Sequence, residues 1–138
     1  NQSDIERAED SAIFINGGPE RKTLVDTVSN NNDLLQKIVN AHYIIAESAG
    51  SMAIGEYMRI SRTDDNVMKA LCILKDVIIE PHYTERNYQQ YLPGDMEKSG
   101  VTYGIGIDSA TGIIIDTREF PTKWQKIGPG NIILKIKK

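Results

Sequence analysis

The sequence predicts an α/β domain, an open and mostly parallel sheet with helices on both faces and antiparallel strands at its carboxyl-terminal end. Three observations carry this. Short apolar runs of strand length, at 12–16, 43–46 and 76–80, alternate with segments whose apolar residues fall at helical spacing. The last third changes character: strand-like runs at 101–107, 112–116 and 132–137 are separated by turns at 109–112 and 128–130. At 138 residues the chain fits one domain, 1–138, long enough to bury roughly two-thirds of its unfolded surface.

In order, residues 3–9 are polar and read as a helix end or tail. Ala12 to Asn16 is a buried strand closed by Gly17-Gly18, and Pro19 suits the first position of a helix. Leu24, Val25 and Val28 give that helix part of an apolar face. Asn30-Asn31-Asn32 interrupts it and caps a second helix carrying Leu34, Leu35, Ile38 and Val39. Tyr43 to Ala46 reads as the next strand, 49–58 as a helix and 59–66 as a polar loop. Residues 67–74 are ambiguous between helix and strand. A strand over 76–80 runs into Pro81-His82, 83–92 is a loop or short helix, and Pro93-Gly94 marks a turn.

Composition excludes several classes. Apolar content of 40% and charged content of 25% are ordinary for a globular domain, and the net charge of −3 gives no ground for a nucleic-acid or anionic-membrane partner. The single cysteine, Cys72, lies in an apolar run and is expected to be buried. A lone cysteine allows no intrachain disulfide, which suits the cytoplasm. No apolar run approaches the ~18 residues of a membrane span. No metal-ligand spacing, phosphate-binding loop or dinucleotide fingerprint is present, so neither metal nor cofactor is expected. Gly104-x-Gly106 is too short to count as such a fingerprint.

The stretch HYIIAESAGSMAIG, residues 42–55, organises the functional reading. An apolar strand that turns abruptly into a helix holds the turn residue, Ser48, above the sheet edge, as in a nucleophile elbow. The residues two before and two after must be small because strand and helix nearly touch, and here they are Ala46 and Gly50. Serine attacks only with a base within reach. Of the two histidines, His42 opens a strand at the end away from the crevice and His82 closes one at the crevice end. His82 is therefore the expected base. In open α/β sheets ligands sit beyond the carboxyl ends of the parallel strands, where Gly18, Ser48 and His82 all fall. The N–H of Ala49, at the start of a helix, and that of Gly18 are the expected oxyanion donors. An ordinary strand-to-helix turn would also account for Gly17-Gly18.

Strand-Gly17-Gly18, strand-Glu47-Ser48-Ala49-Gly50 and strand-Pro81-His82-Tyr83-Thr84, in this order, resemble the peptidase E (aspartyl dipeptidase) family of serine peptidases. Cyanophycinase is a more distant relative. The resemblance runs from about Asp4 to the carboxyl terminus and implies a flavodoxin-like, class I glutamine amidotransferase-like fold. It implies hydrolysis of dipeptides with an amino-terminal aspartate through a Ser-His-acid acyl-enzyme mechanism.

The family places an aspartate in a Thr-x-Asp turn, matched by Asp65, and an acid on a late strand, matched by Asp108. Either is a candidate to orient His82, and either also has an ordinary role as a cap or turn residue. An arginine would clamp the substrate aspartate. Arg86 is nearest to the histidine motif, with Arg62 and Arg118 behind it, and surface solvation is the more ordinary explanation for any single one of them. Pro19-Glu20-Arg21 departs from the residues usual after the glycines, which bears on the second donor. Members usually carry further strand–helix units before the Gly-Gly strand. Their absence here implies an exposed apolar edge, paired with a second copy or with a preceding segment. The competing expectation is a catalytically silent binding or assembly module. Amidotransferase chemistry is disfavoured, since its elbow carries cysteine and Cys72 lies far from it.

Overall fold

The structure, a computed structural model, describes residues 12–138; the reading of residues 3–9 lies outside them. It is a mixed α/β fold, flanked by helices, around a five-stranded sheet. In chain order the elements are β1 (Ile13–Ile15), α1 (Arg21–Ser29), α2 (Asn32–Val39), β2 (Ile44–Ala46), α3 (Ala49–Ala53), β3 (Tyr57–Arg59), β4 (Val67–Lys69), β5 (Val77–Pro81), a 3-10 turn (Tyr88–Gln90), α4 (Leu92–Ser99), β6 (Tyr103–Ile107), β7 (Gly112–Ile114), β8 (Gln125–Ile127) and β9 (Ile132–Ile136).

The main sheet runs β4-β3-β5-β6-β9. Its three central strands are parallel, and the edges β4 and β9 are antiparallel to their neighbours. The strand at its centre, β5, is buried along its whole length, so it reads as a continuous apolar run rather than an alternation. Ile78 faces α4 with Tyr83, Tyr88, Leu92 and Met96. Val77 and Ile79 face the other way with Leu74 and Ile105, where Ile113, Ile115 and Phe120 pack over them. Burying each such isoleucine contributes ~1.5–3 kcal/mol before the entropy of ordering it is counted. Gly104 and Gly106 of β6 have a packing purpose: a Cβ would lie 2.5 Å from Met96 Sδ at the first and 2.6 Å from the Tyr83 ring at the second.

Strands β1 and β2 form a separate parallel pair, Phe14 opposite Ile45. Ile13, Ile15 and Ile44 point into a core with Val25, Val28, Ile38, Met52 and Met58, while Phe14 and Ile45 are exposed on the other side.

Several local expectations are corrected. Helix α1 starts at Arg21, with Glu20 rather than Pro19 at its boundary. The expected asparagine cap of α2 is Asn31, whose side chain accepts from the Leu34 N–H at 3.1 Å. The helix after Ser48 ends at Ala53 and the chain enters β3, because Gly55 sits where a Cβ would come 2.9 Å from the Val77 carbonyl. Arg59 belongs to β3 and is fully buried, not part of a loop. Residues 67–69 resolve as strand, and Cys72 is exposed rather than buried, at a φ of 55°. Pro93 and Gly94 lie in the first turn of α4, where a missing N–H costs nothing. β8 is exposed and polar and gave no strand signal.

The inward-facing Arg59 is tolerable only because it is paired. Its Nη2 donates to Glu80 Oε1 at 2.9 Å and its Nε to Glu80 Oε2 at 3.3 Å. Its guanidinium lies over the rings of Tyr88 and Tyr91, 4.5 and 4.7 Å from their centroids. This buried pair ties β3 to β5 two residues before His82.

Candidate active site

Ser48 sits between β2 and α3 with φ 51° and ψ −117°, a conformation that a residue with a Cβ adopts only under strain. Its surroundings enforce it. The Gly50 N–H donates to the Glu47 carbonyl at 2.8 Å, and the Ser51 hydroxyl donates to the Ser48 carbonyl at 2.6 Å. Gly50 must be small, but the reason is a contact with β1. A Cβ there would lie 2.2 Å from the Ile15 carbonyl oxygen. Gly17 is pressed against the serine in the same way, with a Cβ position 2.8 Å from Ser48 Cβ.

His82 follows β5, also at positive φ, 55°. Its Nε2 lies 3.0 Å from Ser48 Oγ. Burial holds its pKa below the ordinary histidine value, helped by the Arg86 and Arg62 charges and opposed by those of Glu85 and Glu47. This favours the neutral imidazole, the form that can accept a proton.

The contact on the far side of the ring was not foreseen. His82 Nδ1 lies 3.0 Å from the hydroxyl of Ser109, in the turn between β6 and β7. Neither expected acid makes this contact. Asp65 is exposed and its carboxylate is bound by Lys98 Nζ at 3.0 Å. Asp108 is buried, but Oδ1 accepts from the Thr84 N–H at 3.1 Å and Oδ2 from the Asn131 N–H at 2.9 Å. The hydrogen bonds from Thr84 and Asn131 hold its pKa below the usual carboxylate value. Asp108 therefore pins the loop that follows His82 to the end of β9, rather than orienting the ring. Only its position next to Ser109 could have pointed to the true partner, since a serine in a Ser-Ala-Thr-Gly turn reads as turn chemistry.

The proposed oxyanion donors are disposed as follows. The Ala49 N–H opens α3, and no side chain caps that helix. The Gly17 N–H is taken by Asn16 Oδ1 at 2.8 Å. The Gly18 N–H has no hydrogen-bond partner among the described residues.

Arg86 and Arg62 are exposed and close enough for their charges to act on His82, and neither has an ion-pair partner among the described residues. Arg118 is paired with Asp116 at 2.7 Å. His42 is exposed ahead of β2.

Ser48 and His82 lie along a trough of about 2010 Å³ whose walls include Ile45, Ile79, Ile107, Ile113 and Ile115. That volume is well beyond the ~300–1,000 Å³ of a small-ligand pocket, so the reacting pair uses only part of it. Among the described residues no cluster of His, Cys, Asp or Glu is arranged to hold a metal ion, and no helix is long and apolar enough to cross a membrane.

No curated protein matches the chain. The family model described as peptidase family S51 matches residues 1–122. With 122 of its 138 residues matched, the chain belongs to peptidase family S51.

Proposed function

We propose that the chain is a serine peptidase of short peptides, with dipeptides bearing an amino-terminal aspartate as its substrates. The observation that carries this is the 3.0 Å approach of Ser48 Oγ to His82 Nε2, with Ser48 held in a strained elbow. Ser48 Oγ attacks the scissile carbonyl carbon while its proton passes to His82 Nε2. The oxygen that becomes negative is met by the N–H groups of Ala49 and Gly18, and each such donor is worth ~10²–10³ in turnover. His82 then gives its proton to the leaving amine, and water releases the acyl group by the same route in reverse.

Arg86 binds the substrate carboxylate, with Arg62 adding positive potential. Support for this is their exposure, their lack of ion pairs among the described residues, and their proximity to His82. Ser48→Ala is expected to abolish hydrolysis of an aspartyl dipeptide, and Arg86→Ala to raise KM for it with little change for an alanyl dipeptide. Undiminished turnover by Ser48→Ala ends the proposal.

One observation favours a second reading, a catalytically silent binding module. The far nitrogen of His82 meets a hydroxyl and not a carboxylate. Reaction of Ser48 with a fluorophosphonate separates the two, because only an activated serine is modified.

A further inference from the structure

A base that accepts the serine proton becomes a cation, and a hydroxyl can orient it but cannot balance its charge. A carboxylate is bonded to the same residue: Glu85 Oε1 accepts from the backbone N–H of Ser109 at 2.8 Å. We propose that Ser109 is the positioning residue for His82 and that Glu85, bonded to the Ser109 backbone, supplies the negative charge that balances the imidazolium. This rests on the peptidase reading of Ser48 and His82.

The geometry fixes the proton inventory. For Nε2 to accept from Ser48, the neutral ring must carry its hydrogen on Nδ1, and that N–H donates to Ser109 Oγ. On attack one proton moves from Ser48 Oγ to Nε2, while the Nδ1 hydrogen stays in place. No proton reaches Ser109 or Glu85. The charged groups facing the ring come from two other segments and from its own loop. Glu47 precedes the elbow and Arg62 lies between β3 and β4, while Glu85 and Arg86 follow the histidine. The turn after β6 brings only the neutral Ser109. The two arginines oppose a positive ring, and the carboxylates of Glu85 and, more weakly, Glu47 offset them, Glu85 from its bond to the Ser109 backbone.

Sign follows from this. Removing the Glu85 charge makes His82 harder to protonate, so the acid limb of the pH–rate profile moves to lower pH. The plateau falls at the same time, because the imidazolium formed in the reaction loses its counter-charge. A merely structural residue would lower the plateau without moving the limb.

The test uses the full chain labelled with ¹⁵N-histidine, in which only His42 and His82 contribute signals, alongside the rate of Ser48 modification by a fluorophosphonate against pH. In the wild type, neutral His82 carries its hydrogen on Nδ1. Glu85→Gln keeps an acceptor for the Ser109 N–H, lowers the His82 midpoint and shifts the acid limb with it. Ser109→Ala weakens the Nδ1–H preference and slows modification roughly 10- to 100-fold, less than the ~10⁴ seen when a triad carboxylate is neutralised. Ser109→Thr restores both. If the wild type reacts but Ser109→Ala and Glu85→Gln react at its rate with unmoved limbs and midpoints, this proposal is overturned and the peptidase reading stands. If Ser48 of the wild type ignores the probe, the peptidase reading falls and the charge-balancing role falls with it.

Discussion

Ser48 and His82 meet at 3.0 Å while each holds a positive φ, 51° and 55°. Two non-glycine residues in that region cost of order 1–3 kcal/mol each, and the surrounding contacts of Gly17, Gly50 and Asp108 hold them there. Ser48→Gly removes the strain together with the hydroxyl. It is expected to raise unfolding stability by about 1 kcal/mol, read by urea denaturation, while eliminating peptide hydrolysis. A Ser48→Gly variant less stable than wild type would mean that the elbow stores no strain.

Asp108 holds the histidine loop without touching the histidine. Asp108→Ala removes the acceptor of the Thr84 and Asn131 N–H groups, both part-buried, and is expected to cost about 1–3 kcal/mol. Its lowered pKa gives the pH sign. The stability it contributes is present above the unfolded carboxyl value of about 3.9 and is lost as pH falls through the folded value. Denaturant midpoints below pH 4 should therefore fall more steeply for the wild type than for Asp108→Ala.

Asp95 has the opposite sign. It is buried beside the Arg59–Glu80 pair, with Oδ2 3.7 Å from Arg59 Nε and without a hydrogen bond. Burial, reinforced by Glu80, pushes its pKa up to about 6. The folded protein thus holds a proton that the unfolded chain has already lost, and stability falls as pH rises from about 4 to about 6. Asp95→Asn should flatten that decline and stabilise the protein at pH 7 by roughly 1–3 kcal/mol. An unchanged pH profile in the variant would contradict this.

What the sequence disclosed divides along the range of the interactions. Ser48 and His82 were legible because each closes an apolar strand at a break that local residues mark. β5 announced itself because a strand buried on both faces has no polar alternation. The failures depended on distant partners. Helical residues after Ala53 were overruled by the approach of Gly55 to Val77, and Arg59 looked like a loop residue because Glu80, its partner, lies in another strand. Asp65 is exposed and pairs with Lys98, which lies 33 residues further along the chain. Ser109 was invisible because a serine in a turn satisfies so many local needs that its contact with a ring 27 residues away leaves no pattern.

The central claim is that His82 activates Ser48. It is tested most directly by mass-spectrometric mapping of the adduct that a fluorophosphonate leaves on the wild type and on His82→Ala. The account predicts a single adduct on Ser48 and a drop of at least ~10²-fold in its rate of formation without the imidazole. An unmodified wild type, or equal labelling of Ser48 in both proteins, would contradict it.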